Sequence, residues 1–304
     1  MVCKFWNIER NLCIKTLRLV DKDKEFFVRD FKLTHNRTLL TLCDDSLLRV
    51  FDLTTGVCLK AAGHASTLHY EDEMHLVTDE LAAVTKKEQI LFYNYETCEF
   101  VKSFNLKEEK ENDKVKQVKL LKVLERKDML FVFSCETTIK LLSFKSGDIL
   151  QTYTGHKESV VCVQTLLNET CFASSTLNKI KVWHLESGEC LRTITEDVGI
   201  ICDLQLTDQG YLVSCSSAGS KIRIWDTWAN FECIHKFETK VAMKRIKVLT
   251  NDRLVSFCTS QDFERQKLTV KVWDLGDWKC LNTFKIEDDD YLPNKFEFCS
   301  FSLN

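Results

Sequence analysis

A short aromatic-centred segment recurs seven times along the 304 residues, and no other feature restricts the fold so tightly, because a period of 20–50 residues defines a repeat architecture. It reads IKVWHL at Ile180–Leu185, VKVWDL at Val270–Leu275, IRIWDT at Ile222–Thr227 and LRVFDL at Leu48–Leu53. Weaker copies are IKLLSF at Ile139–Phe144, ILFYNY at Ile90–Tyr95 and CKFWNI at Cys3–Ile8. The fourth positions are Trp6, Phe51, Tyr93, Leu142, Trp183, Trp225 and Trp273, spaced by 45, 42, 49, 41, 42 and 48 residues. A turn and a second apolar run follow several copies, as in SGECLRTI at Ser187–Ile194 and TGVCLKAA at Thr55–Ala62. Another run precedes them, as in LLTLCDDS at Leu39–Ser46 and LFVFSCET at Leu130–Thr137, and a fourth lies upstream, as in VVCVQTLL at Val160–Leu167 and ICDLQL at Ile201–Leu206. Four short strands per repeat, separated by polar turns, predict small sheets stacked one on the next rather than βαβ units. Stacking covers both faces of each sheet, which explains apolar runs such as Leu130–Phe133 that do not alternate.

The Trp225-Asp226 and Trp273-Asp274 pairs, the degenerate Phe51-Asp52, and the Gly63-His64 and Gly155-His156 pairs make the chain resemble the WD-repeat family of β-propellers over essentially its whole length. That resemblance implies an all-β, seven-bladed β-propeller of four-stranded antiparallel blades, formed as a single domain over residues 1–304. Six full blades are expected across residues 26–284, and a composite seventh from 2–20 plus 295–303. The composite blade counts three strands, one short, unless the chain is a fragment lacking about ten residues, roughly a strand and its turn. The family often joins a His, a Ser or Thr, an Asp and the Trp of one repeat in a hydrogen-bonded chain. No copy here holds all four: His156 precedes Trp183, but the Asp position is Leu177, while Thr41 and Asp45 precede Phe51, which has no indole donor. Packing is therefore expected to matter more than that polar chain.

Charge and motif content narrow the chemistry. Lys plus Arg is 42 against 45 for Asp plus Glu, a net charge of −3, which argues against general binding to a phosphate backbone. The local basic stretch Lys240, Lys244, Arg245 and Lys247 keeps an RNA-binding propeller as an alternative, with a solvated strand and loop as the plainer reading. The opening MVCKFWNIER lacks the apolar core of a secretory signal, and no run reaches a membrane span, so a cytoplasmic or nuclear, non-secreted, non-membrane protein with reduced thiols is expected. Among the 15 cysteines, Cys13, Cys58, Cys190 and Cys280 all fall seven residues after the signature aromatic, which predicts small buried residues packed between blades. No zinc, calcium, phosphate-loop or nucleophile-elbow motif occurs, so no catalytic, metal or cofactor residue is assigned. An enzyme using a central cavity is the remaining alternative. The mixed-charge Lys107–Lys116 stretch and the acidic Glu287–Asp290 run read as exposed loops.

A stack of small sheets presents loops on a rigid support, which suits recognition of other molecules. The resemblance implies a non-catalytic scaffold or adaptor for protein or peptide partners, such as a substrate-recognition subunit of a ubiquitin ligase, working as a monomeric domain within a larger complex. Connections after each fourth strand and between second and third strands share one face. The candidate partner-binding residues there are Asp44, Asp45, His64, Lys86, Lys87, Glu136, His156, Lys157, Glu158, Lys240, Lys244 and Arg265.

Overall fold

The computed structural model describes residues 2–7, 10, 12–21, 25–34, 36–45, 47–63, 73–86, 89–105, 118–124, 129–134, 137–166, 169–196, 199–217, 221–239, 241–249, 252–259 and 268–286; over 118–134 only the backbone is considered. Within them the chain is all strand and turn. The first sheet pairs β1 (Val2–Asn7) with β2 (Leu12–Arg18). The second is β3 (Val28–Leu33), β4 (Thr38–Cys43), β5 (Leu47–Asp52) and β6 (Cys58–Gly63); the third is β7 (Glu73–Leu76), β8 (Leu81–Lys86), β9 (Gln89–Asn94) and β10 (Glu99–Asn105). The fourth is β11 (Val118–Leu124), β12 (Met129–Ser134), β13 (Ile139–Ser143) and β14 (Ile149–Tyr153); the fifth is β15 (Cys162–Thr165), β16 (Cys171–Ser175), β17 (Lys179–His184) and β18 (Cys190–Thr195). The sixth is β19 (Ile201–Leu206), β20 (Leu212–Ser216), β21 (Lys221–Asp226) and β22 (Glu232–Glu238); the seventh is β23 (Ala242–Leu249), β24 (Arg253–Thr259), β25 (Leu268–Asp274) and β26 (Lys279–Ile286).

Six four-stranded sheets, each with its strands in sequence order, thus follow one two-stranded sheet among the described residues. The expected four-strand repeat is present, as antiparallel blades of the propeller type. The third strand expected for the composite blade falls on 295–303, outside the described residues, as do the loops expected at 107–116 and 287–290. Two compact units divide the chain: residues 1–135, 141–148 and 293–304 in one, and 136–140 and 149–292 in the other.

In the first unit, Leu40, Leu42, Val50, Met74, Val84 and Tyr93 form one core between the second and third sheets. Leu17, Leu19, Phe26, Leu39 and Phe51 form another between the first and second. In the second unit, Ala173, Val182, Leu204, Leu212 and Trp225 join the fifth and sixth sheets, and Cys215, Ile224, Ile246, Leu254 and Trp273 join the sixth and seventh. Second and third strands are buried on both faces, as the unbroken burial of Leu39–Cys43 and Leu212–Ser216 shows. Fourth strands lie outermost and are largely exposed, as over Cys190–Thr195.

Turns between third and fourth strands share one backbone feature, a residue with φ near +50° to +80° before the fourth strand. Glycine fills it at Gly56, Gly147 and Gly188, whereas Cys98, Phe231 and Trp278 adopt the same left-handed region with φ of 61°, 59° and 52°. The choice follows the neighbouring strand. A Cβ at Gly147 would stand 2.5 Å from the Phe104 ring, and one at Gly56 would run into the Arg18 carbonyl oxygen. Where the neighbour leaves room, the side chain packs against it instead: Trp278 stacks on His235 with centroids 4.8 Å apart.

A bulge in each outer pairing places Cys58 opposite Phe51, Cys190 opposite Trp183 and Cys280 opposite Trp273. This corrects the expected burial of the recurrent cysteines. Cys13, Cys190 and Cys280 are exposed and Cys58 is half-buried, because the fourth strand is outermost and the bulge turns the thiol along it. Each sulfur instead faces the carbonyl two residues on, at 3.2–3.5 Å for Cys13, Cys58, Cys190 and Cys280.

Candidate functional site

In each antiparallel four-stranded sheet, the turn between the second and third strands and the chain entering the first strand lie at the same end. All described candidates occupy that end of their own sheets. Asp44 and Asp45 sit in the β4–β5 turn, Lys86 ends β8, His156, Lys157 and Glu158 join β14 to β15, and Lys244 lies at the start of β23. His64, Lys87, Glu136, Lys240 and Arg265 fall outside the described residues.

The structure separates these candidates by exposure. Asp44, Lys157 and Lys244 are exposed, Glu158 is half-exposed, and Lys86 is buried. His156 is 6% exposed and turns inward: its Nε2 lies 2.6 Å from Ser174 Oγ, which also accepts the Trp183 indole N–H at 2.8 Å. Burial, and then the charges of Lys181 and Lys179, lower the His156 pKa from 6.5 to about 4, so this imidazole is neutral at physiological pH. Leu177, at the place where the family pattern has Asp, is exposed and leaves the chain at three members.

The sixth sheet carries a substitute that the family pattern does not reveal. Glu196 stands where the fifth sheet has His156, accepts the Ser214 hydroxyl at 2.7 Å and pairs with Arg223, while Trp225 donates to the same Ser214 at 3.0 Å. The second sheet repeats the exchange, since Arg49 occupies the position of Arg223, two residues before the signature aromatic. Its Nε donates to Asp21 at 2.9 Å, its Nη1 to Asp45 at 2.7 Å, and its guanidinium lies 4.6 Å from the Phe26 ring centroid. The Arg49 bond lowers the Asp45 pKa and raises that of Arg49, keeping both charged. Two of the seven signature segments, LRVF and IRIW, carried this signal as an Arg flanked by apolar residues, in place of Lys or Leu. In the seventh sheet Trp273 donates to Ser256 at 2.9 Å. Three indoles therefore retain the hydroxyl partner, and the polar chain is more complete than the sequence implied.

Strand entries supply exposed residues, of which motif reading found Lys244 but missed Phe27, Arg29 and Ile200. Bulges at the start of β3, β19 and β23 place Arg29, Cys202 and Lys244 outside the regular ladder. Just before β3, Phe27 is 73% exposed while its backbone is clamped: its N–H donates to Asp44 Oδ1 at 2.8 Å and its carbonyl accepts from Asp44 N at 2.9 Å. In the same setting before β19, Ile200 is exposed and its carbonyl accepts from Ser217 N at 2.9 Å. Residues after the bulge reach the next sheet: Asp30 accepts from Met74 N at 2.9 Å, and Asp203 from Ile246 N at 3.1 Å. Burial raises the Asp203 pKa to about 6, against the lowering effect of those backbone bonds and of Arg245.

These arrangements hold loops in place and expose selected side chains. Among the described residues no group of three or more His, Cys, Asp and Glu is placed to hold a metal ion, and no helix is long and apolar enough to cross a membrane.

Comparison with known proteins agrees with this geometry. A family model described as "WD domain, G-beta repeat" matches residues 147–184 and 188–226, which include Trp183 and Trp225. The chain is 27% identical over 109 residues to COMPASS component SWD3 of Saccharomyces cerevisiae, covering 33% of this chain and 35% of that protein. It is 30% identical over 137 residues to nuclear distribution protein nudF of Aspergillus niger, covering 43% and 29%. With mitogen-activated protein kinase kinase kinase A of Dictyostelium discoideum it shares 37% identity over 82 residues, covering 26% and 9%. The match thus spans about a third or less of each relative's length. The family model thus identifies WD repeats at residues 147–184 and 188–226, and the aromatic-centred segments, four-stranded antiparallel blades and indole–hydroxyl bonds make the chain similar to WD-repeat β-propellers with divergent repeats.

Proposed function

We propose that the protein is a non-catalytic scaffold that binds a protein or peptide partner through the loop ends of its blades. The observation carrying this reading is the contrast at those ends: Phe27, on a backbone clamped by Asp44, and Lys157 and Lys244 are exposed, whereas Arg49, Glu196, Arg223 and His156 are spent on internal hydrogen bonds. Exposed aromatic and basic groups on rigid turns make recognition inexpensive in entropy, and hidden ionisable groups are withheld from chemistry. The name of the COMPASS component relative, a part of an assembly, supports the same class of role. The finer form of the proposal is a substrate-recognition subunit of a ubiquitin ligase or a similar assembly. It includes a single domain over 1–304, closed by pairing 2–20 with 295–303.

The test is quantitative affinity purification with Phe27→Ala, Lys157→Glu and Lys244→Glu combined, with and without nuclease. Loss of a defined set of nuclease-resistant partners at an unchanged melting temperature is expected. An unchanged partner set contradicts the reading, and partners lost to nuclease alone favour the RNA alternative. A ligase subunit among the lost partners, with slower turnover of another, supports the finer form.

A further inference from the structure

Burial in the sixth blade brings together two thiols that neither the repeat pattern nor the scaffold role uses. Cys202 is the bulged residue of β19, and Cys215 lies on the paired strand β20 opposite Asp203. Their sulfurs are 3.5 Å apart. Cys202 is partly accessible, whereas Cys215 is fully buried. The Cys202 thiol also faces the Met243 carbonyl at 3.5 Å, in the first strand of the next blade. Around the pair stand Cys162, whose thiol is held 2.9 Å from Ser175 Oγ, the Asp203 carboxyl, which is fixed by two backbone N–H groups, and Cys258.

We propose that Cys202 and Cys215 form a thiol–disulfide exchange site, in which Cys202 receives a low-molecular-weight disulfide of the glutathione class and Cys215 resolves it to a cross-strand disulfide. The geometry assigns the order. Cys202 loses its proton to solvent and its sulfur attacks one sulfur of the oxidised tripeptide; that S–S bond breaks, and the first tripeptide thiolate leaves and is protonated. Cys215 then loses its proton and attacks the Cys202 sulfur of the mixed disulfide, expelling the second tripeptide thiol. The two protein thiols are oxidised by two electrons and one oxidised tripeptide becomes two reduced ones. The bulge brings the two sulfurs to 3.5 Å across β19 and β20, within a small side-chain rotation of the roughly 2.05 Å of a disulfide bond. Closing the bond draws Cys202 away from the Met243 carbonyl, exchanging a link between blades for a staple within one.

The full chain is equilibrated in glutathione buffers from reducing to oxidising, quenched with an alkylating agent and digested with trypsin. Cys202 and Cys215 lie together in the peptide Thr193–Lys221, and Cys162 lies in Glu158–Lys179. The proposal expects Thr193–Lys221 to become unalkylated and lighter by two hydrogens, reversibly on reduction. It also expects Cys215→Ser to accumulate the glutathione adduct on Cys202, and Cys202→Ser to keep Cys215 reduced. A peptide fully alkylated across the range, a cross-link to Glu158–Lys179, or oxidation of Cys215 in Cys202→Ser each overturns it.

Discussion

Trp183 and His156 show most directly what single side chains do in this fold. The Trp183 ring is buried against Tyr153, His156 and Phe172, with centroids 5.9, 5.7 and 6.4 Å away, and its N–H is used by Ser174. Trp183→Ala is expected to destabilise the protein by about 3–5 kcal/mol, as a large core truncation does. Trp183→Phe leaves Ser174 without its indole donor and should cost less, about 1–3 kcal/mol. Urea unfolding measures both. His156 adds a pH dependence. Its folded pKa, about 4, is below the 6.5 of the unfolded chain, so the unfolded state takes up the proton first and stability falls as pH drops from 6.5 towards 4. Asp203 works in the opposite direction: its folded pKa, about 6, exceeds 3.8, so its contribution is full below 3.8 and lost as pH rises through 6. The two partly offset each other in wild type. Asp203→Asn should therefore steepen the loss of stability between pH 6 and 4, and His156→Gln should flatten or reverse it, both read from denaturant midpoints against pH.

At the scale of the blade, the turn before the outer strand decides between glycine and a packed side chain. Gly56→Ala should destabilise more than Gly147→Ala, since it presses on the Arg18 backbone carbonyl rather than on a Phe104 ring that can tilt. Each also carries the left-handed penalty of about 1–2 kcal/mol, and thermal melts of the two variants rank them. This site also marks how far the sequence was legible. The strand order followed from hydrophobic runs and turn residues, and Ile201–Leu206 was located to the residue as β19. The burial of Cys13, Cys190 and Cys280 was misread because spacing fixes a residue's place in the repeat but not which face a bulge turns outward. The exposed Phe27 and the Glu196–Arg223 pair were missed for a related reason: both depend on contacts between segments, Phe27 with Asp44 and Glu196 with Ser214 and Arg223. Of the binding candidates, Lys157 and Lys244 were legible as charges at strand ends, but the inward turn of His156 was not.

For the whole molecule, adjacent blades within each compact unit share apolar cores, as in the Leu204–Trp225 core joining the fifth and sixth. Sheets of this kind derive their stability from the next in line, and the proposed single domain over 1–304 requires that dependence to run through the whole chain. Tryptophan distribution allows a direct test. Five of the six tryptophans, Trp183, Trp225, Trp228, Trp273 and Trp278, lie in residues 149–292, so in a Trp6→Phe background fluorescence reports on one compact unit, whereas far-ultraviolet circular dichroism reports on strands of both. Equilibrium unfolding in urea should be followed by the two signals on the same samples. Coincident transitions with one midpoint are the expected result, and a fluorescence transition separated from a two-step dichroism curve would contradict a single cooperative domain.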